Sequence, residues 1–224
     1  MIDAWWPVPL AGLLSGTVLG AVSRRQRFCT LSALERYWYT GESRGVRTWV
    51  LAAAVALLAT QGLALAGLVD TERSFYLLPR LSLAGSVLGG VLFGIGMALV
   101  GTCGFGALVR LGGGSLRSLI VVVAIGIAAL SAQRGPLGLA RERLVEPLAF
   151  DLGPAADQSI PALVASLTNL PLEWPVTLLC LLALFAWVFR DGGYRRDAPA
   201  VATGSAIGLC IAAGWLATSQ FGRV

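Results

Sequence analysis

The chain has 224 residues, of which 56% are hydrophobic and 13% are charged, and its mean hydropathy is +0.76. This composition excludes an ordinary soluble domain and predicts an integral membrane protein. The formal net charge of +5 comes from 17 arginines set against 12 acidic residues, and histidine is absent. Because the commonest metal ligand is missing and the four cysteines form no Cys-x-x-Cys pair, neither a metal nor another cofactor is expected.

Hydropathy predicts six membrane spans, since roughly 20 apolar residues cross the hydrocarbon core. The spans are 1–23, 49–69, 81–102, 118–133, 173–189 and 199–218, and the fourth is short for a full crossing. Residues 134–172 are the least hydrophobic region and are predicted to be extramembrane or interfacial, with an interfacial or half-inserted helix at 160–172. The predicted fold is an all-α integral membrane protein, a single membrane domain over 1–224 whose last two spans lie in 173–224.

The distribution of arginine orients these spans. The loops after spans one, three and five carry net charges of +4, +2 and +1, whereas those after spans two and four carry 0 and −1. By the positive-inside rule, the first group faces the cytoplasm and both termini face outside. The most basic of these predicted loops, 24–47, contains Cys29.

An internal repeat appears when the chain is shifted by 74 positions. Six residues in a window of 21 are then identical: Gly16, Gly20, Cys29, Ala33, Leu34 and Arg36 fall on Gly90, Gly94, Cys103, Ala107, Leu108 and Arg110. After a four-residue adjustment, Arg47 falls on Arg117. The repeated unit is a helix, a break that carries a cysteine, an arginine and a second helix, over about 5–69 and about 81–133.

The second copy contains a glycine-rich stretch in which Gly101, Gly104 and Gly106 surround Cys103. Backbone groups freed by a broken helix cannot be left in hydrocarbon, so the stretch is predicted to be buried in protein or to line a polar cavity. Free backbone amides beside a polarisable sulfur suit a small anion. The alternative is a GxxxG-type packing face with an incidental cysteine.

Several motifs resemble the YeeE/YedE family of sulfur-compound transporters. They are RFCTLSAL at 27–34, GTCGFG at 101–106, Arg110, GGG at 112–114 and LRS at 116–118, with GSAIG at 204–208 and AGWL at 213–216 similar to the end of that family's first half. The resemblance implies an hourglass fold in the bacterial inner membrane that imports thiosulfate along a central path of cysteine thiols. Cys29 and Cys103 match two of those path positions.

The full-length family pattern continues into a second half with a further glycine-flanked cysteine, which this sequence does not contain. Three alternatives therefore stay open: a half-transporter, a shortened chain, or assembly with a second half-transporter subunit or another copy. Cys180 and Cys210 are not substitutes, because they lie in leucine- and alanine-rich spans without a glycine break. We interpret them as packing residues.

Thiosulfate is a dianion with a soft terminal sulfur, so its path must attract the ion without trapping it. Neutral thiols offer a weak donor and a polarisable surface, whereas thiolates would repel the ion. Arg36 and Arg110 are predicted to bind loop carbonyls or to attract anions at the inner mouth, and the alternative is that they only set the topology.

A transporter rather than an enzyme is therefore the favoured function. The competing hypotheses are a membrane enzyme that handles thiols or persulfides, or an accessory sulfur-transfer or structural subunit. Such an enzyme would need a resolving cysteine or a base that the sequence does not offer. The expected partners are a small sulfur-containing anion, the lipid bilayer and a cytoplasmic sulfur-acceptor protein, and no nucleic acid.

Overall fold

A computed structural model describes residues 6–70, 80–152, 158–168, 170 and 173–221. The described residues form these α-helices: α1 (Pro7–Gln26), α2 (Thr30–Thr40), α3 (Arg44–Leu65), α4 (Leu83–Val100), α5 (Gly104–Gly112), α6 (Leu116–Arg134), α7 (Pro136–Leu144), α8 (Ile160–Thr168), α9 (Glu173–Phe189), α10 (Gly192–Arg196) and α11 (Ala198–Phe221). Strands β1 (Arg80–Leu81) and β2 (Phe150–Asp151) pair antiparallel, and a 3-10 helix covers Glu146–Leu148.

Four helical segments in the described part of the chain are long and apolar enough to cross a membrane. They are Arg44–Leu65, Leu83–Gly112, Leu116–Arg134 and Ala198–Phe221, and they correspond to predicted spans two, three, four and six. The protein is thus a multi-pass, all-α membrane protein. The first predicted span overlaps α1, with 20 residues, and the fifth coincides with α9, with 17. The total of six spans stays a prediction.

The chain divides into two compact units. Unit 1 comprises Met1–Ser74 and Leu179–Val224, and unit 2 comprises Phe75–Leu178. In unit 1, α11 packs closely on α3 because two of its residues are glycines. A Cβ atom at Gly208 would lie 2.7 Å from the carbonyl oxygen of Ala52, and one at Gly204 would lie 2.9 Å from that of Thr48. Small residues of this kind let two membrane helices approach backbone to backbone.

Arg47, in the first turns of α3, holds the carboxyl-terminal end of α9. Its guanidinium donates hydrogen bonds to the carbonyls of Trp187 and Val188, the latter at 2.9 Å, and it lies 4.7 Å from the centre of the Trp187 ring. Nε also lies 2.9 Å from Ser43 Oγ and 3.7 Å from a carboxylate oxygen of Asp191. A cation here satisfies carbonyls that the helix leaves unpaired and complements the helix dipole.

Unit 2 leaves its long apolar helices largely uncovered. No residue of α4 is buried within the described protein, and in α6 only Ser118 is. By contrast, α11 of unit 1 buries six residues. The apolar faces of α4 and α6 are therefore available to lipid or to another protein chain.

Two details of the sequence interpretation were wrong. Residues 24–47 are not a continuous loop, because α2 occupies Thr30–Thr40 and ends at Gly41, whose φ is 72°. Only Arg36 lies in α2, and the other arginines of this region lie at the end of α1 and the start of α3, so arginine density did not indicate a loop. The second break is also shorter than expected: it covers 101–103, and Gly104 and Gly106 already belong to α5.

Candidate functional site

The two predicted path cysteines lie on similar backbones. Cys29 and Cys103 are the N-cap residues of the short helices α2 and α5, and both have extended backbones, with ψ of 133° and 165°. Two residues earlier, α1 ends at Arg27 with φ of 51°, and α4 ends at Gly101 with φ of 69°. The same local path, a left-handed helix end followed by a cysteine cap, therefore occurs twice at a spacing of 74 residues.

Cys103 is enclosed in unit 2. Its side chain is 3% exposed, and its sulfur accepts a hydrogen bond from the N–H of Gly106 at 3.2 Å. The first amides of a helix have no acceptor inside the helix, and Cys103 supplies one of them with its sulfur. Its carbonyl accepts from the N–H of Ala107 at 2.9 Å. In this arrangement one amide of the α5 amino terminus is occupied by the thiol itself.

Cys29, in contrast, is half-buried and lines a cavity of about 250 Å³ in unit 1. We call this space the Cys29 cavity. Its walls come from the end of α1, from α2, from the start of α3 and from α11. Beside the thiol, the rings of Phe28 and Trp49 stack with their centroids 4.9 Å apart. A rigid aromatic wall thus fixes the position of the break that carries Cys29.

The charged lining of the Cys29 cavity is mostly positive. It consists of Arg25, Arg27, Arg36, Arg44 and Glu42. The side chain of Arg36 lies 3.6 Å from Glu42. Four cations against one anion in a concave, partly apolar site create a potential that attracts small anions.

Two of these arginines are paired with carboxylates and two are not. Besides the Arg36–Glu42 pair, Arg44 donates to Asp197 at 3.2 Å. Within the described part of the chain, no carboxylate lies within 4.0 Å of the guanidinium of Arg25 or Arg27. The guanidinium groups of these two arginines thus remain available to a ligand.

The predicted supporting residues lie in both units. Arg36 lines the Cys29 cavity, and Arg110 lies 3.5 Å from the carbonyl oxygen of Gly101, at the break that it follows. A Cβ atom at Gly101 would meet nothing within 4 Å, and one at Gly104 would meet only Ile125 Cδ1 at 3.7 Å. The roles of these residues stay predictions.

Sequence reasoning missed Arg25, Arg27 and Arg44 as cavity residues. Their charge was used only to orient the spans, because a count of arginines does not distinguish those that face a cavity from those that face water. One signal was visible: at the spacing of 74 residues, Arg27 falls on Gly101. An arginine where the matching position has glycine marks a place where side-chain chemistry differs between otherwise similar segments.

Comparison with known proteins places these motifs in a family. A family model described as sulphur transport matches residues 25–224. The chain belongs to the sulphur transport family. This match and the relatives described below confirm the resemblance to YeeE/YedE transporters, which was based on the two cysteine motifs. Both cysteines and all four cavity arginines lie within the matched residues.

Two curated relatives of this family member are named thiosulfate transporter TsuA. The one from Escherichia coli (strain K12) is 33% identical over 113 residues, which is 50% of this chain and 31% of the relative. The one from Spirochaeta thermophila is 29% identical over 125 residues, 55% of this chain and 36% of the relative. The alignments thus cover about half of this chain and about a third of each relative.

Proposed function

We propose that this chain takes up thiosulfate or a related sulfur-containing anion across the bacterial inner membrane, along a path that includes Cys29 and Cys103. One observation carries the proposal: in a member of the sulphur transport family, a half-buried thiol lines a cavity whose charged walls are mostly arginine. The names of the two relatives support thiosulfate as the substrate.

The proposed path uses the two cysteines differently. At Cys29 the arginines attract the dianion, and the polarisable thiol contacts its soft terminal sulfur. At Cys103 the sulfur must first leave the N–H of Gly106, which then becomes a donor for the passing ion. At Cys103 the thiol and the N–H of Gly106 are neutral groups, so the ion is held weakly enough there to move on.

A second element of the proposal concerns assembly. Within the described part of the chain, the apolar faces of α4 and α6 are uncovered. We propose that a second half-transporter subunit or another copy of this chain completes the path. Both termini then face outside, the cysteine breaks open toward the cytoplasm, and a cytoplasmic sulfur-acceptor protein receives the imported sulfur.

Uptake of labelled thiosulfate into vesicles that contain only this chain tests the function. We expect Cys29→Ala and Cys103→Ala to lose most uptake, because a methyl group keeps the volume but removes the polarisable S–H. The serine variants give a sharper test of the thiol, because a hydroxyl keeps a donor of similar size but is much less polarisable than sulfur. Cys180→Ala and Cys210→Ala are matched controls on α9 and α11, and they should retain uptake.

Three results would contradict parts of the proposal. Uptake that requires Cys180 or Cys210 but not Cys29 would refute the path. Turnover of thiosulfate by detergent-solubilised protein, without any gradient, would favour the alternative of a membrane thiol or persulfide enzyme. Uptake by a preparation shown to be a single monomer would refute the need for a second subunit or copy.

A further inference from the structure

Arg27 has an unusual backbone for its residue type. Among the described residues it is the one non-glycine residue with positive φ, at 51°. Side chains of L-amino acids rarely adopt this left-handed conformation, and helix ends that require it usually have glycine. The matching position of the second segment has glycine, Gly101, with φ of 69°. Position 27 thus has an arginine where its backbone favours glycine, and such unfavourable conformations concentrate at functional sites.

The position of the Arg27 side chain explains why an arginine occupies this unfavourable backbone conformation. It lines the Cys29 cavity two residues from the thiol, and no carboxylate in the described part of the chain is within ion-pairing distance. Arg36 and Arg44, in the same cavity, already pair with Glu42 and Asp197. Arg27 is therefore a cation without an ion-pair partner among the described residues, and it lies in the same backbone segment as Cys29.

We propose that Arg27 is the oxyanion-binding residue of the Cys29 cavity. Its planar guanidinium binds two oxygens of a doubly charged oxyanion of sulfur. The terminal sulfur of thiosulfate then lies toward Cys29. The inference rests on the proposed function, because it names the ligand class and a binding residue for the same site. The competing explanation is that Arg27 only complements the dipole at the end of α1, as Arg24 and Arg25 in the last turn also do.

Calorimetric titration of the detergent-solubilised full chain with thiosulfate and with sulfate, at constant ionic strength, separates these explanations. We expect the wild type to bind both anions, and thiosulfate more tightly. Arg27→Gly should weaken binding of both by about tenfold or more, since it removes a charge-assisted bidentate contact. Its thermal midpoint should be unchanged or higher, because glycine suits the left-handed conformation. Arg27→Lys should recover only part of the affinity.

Arg24→Ala is the matched control, because it removes the same charge from the last turn of α1 at a position outside the cavity. We expect its affinity to stay within about twofold of the wild type, since an exposed charge outside the site is screened by salt. Wild-type affinity in Arg27→Gly would overturn the proposal, as would equal losses in Arg24→Ala and Arg27→Gly. Absence of binding of either anion to the wild type would overturn it too.

The vesicle uptake assay separates this inference from the proposed function. Binding that depends on Arg27, without uptake by the wild type, would leave the inference standing and refute uptake by this chain alone. Normal uptake by Arg27→Gly would refute the inference alone.

Discussion

The two segments that carry a cysteine share a backbone path but not an environment. In unit 1, Cys29 is half-buried beside four arginines, and α3, the long helix after α2, is packed against α11. In unit 2, Cys103 is enclosed with its sulfur on a backbone amide, and α4, which precedes it, has no buried residue in the described protein. Sequence similarity between the segments therefore predicts the backbone path but not the chemistry around the sulfur.

The largest expected effect tests the difference in helix packing. Gly208→Ala on α11 should lower the free energy of unfolding by about 2–3 kcal/mol, because its Cβ would lie 2.7 Å from the Ala52 carbonyl oxygen and from Val55 Cβ, and α3 must move away. Gly94→Ala on α4 is the control: nothing lies within 4 Å, and the change should be neutral or stabilise the helix by up to about 1 kcal/mol. Unfolding in detergent would measure both, and equal destabilisation would remove the contrast.

The next comparison concerns two arginines that match in sequence. Arg47→Ala should cost about 2 kcal/mol of unfolding free energy, since it leaves the carbonyls of Trp187 and Val188 without their donor. Arg117→Ala, at the matching position of the second segment, removes an exposed side chain and should change stability by less than about 0.5 kcal/mol. A cost at Arg117 similar to that at Arg47 would show that α6 is anchored as α3 is.

Reactivity of the two thiols gives a third test. In single-cysteine variants, a neutral alkylating reagent should modify Cys29 about tenfold faster than Cys103 or more, because the Cys103 sulfur is buried and reacts only after local opening. Mass spectrometry of timed samples would give both rates. Equal rates would mean that the enclosed state of Cys103 is not the main one in solution.

The smallest effect concerns pH and is confined to unit 1. The N–H groups of Tyr194 and Gly193 donate to Asp191 at the start of α10 and hold the pKa of its carboxyl below 3.8. A lowered pKa contributes stability above the unfolded value, and this contribution is lost as the pH falls through the folded value. The wild-type thermal midpoint should therefore fall more between pH 4 and 3 than that of Asp191→Asn. The same fall in both proteins would assign the pH dependence to other carboxylates.

Much of the fold could be predicted from composition and glycine spacing. The positions of α3, α4, α6 and α11 followed from apolar runs, since hydropathy reports directly on burial in lipid. The break at Cys103 was found because glycine interrupts the apolar run, and the break at Cys29 was found because it matches that stretch at a spacing of 74 residues. Helix α2 was missed because the arginine content of residues 24–47 was interpreted as that of one basic loop. Helix α1 also ends at Gln26, three residues beyond the end of the predicted first span.

The candidate site was harder to predict, because it depends on pairings between distant parts of the chain. Which arginines remain available is decided by Glu42 and Asp197, and the Arg44–Asp197 contact joins residues 153 positions apart. Hydropathy and spacing contain no information on such pairs. The left-handed backbone of Arg27 was equally hidden, because an arginine gives no sign of its φ angle in sequence.

The contact between Arg47 and α9 also has a consequence for the order of biosynthesis. The guanidinium lies on α3, but its carbonyl acceptors are made 140 residues later. An arginine at the centre of a membrane helix costs about 2.5–3.5 kcal/mol on insertion scales, whereas an arginine near a helix end, such as Arg47, can extend to the hydrated interface. We therefore expect the amino-terminal end of α3 to stay hydrated while the ribosome makes the intervening residues, and to reach its final packing only after α9 has been inserted. The final packing of α3 thus depends on the last quarter of the chain, which contains α9.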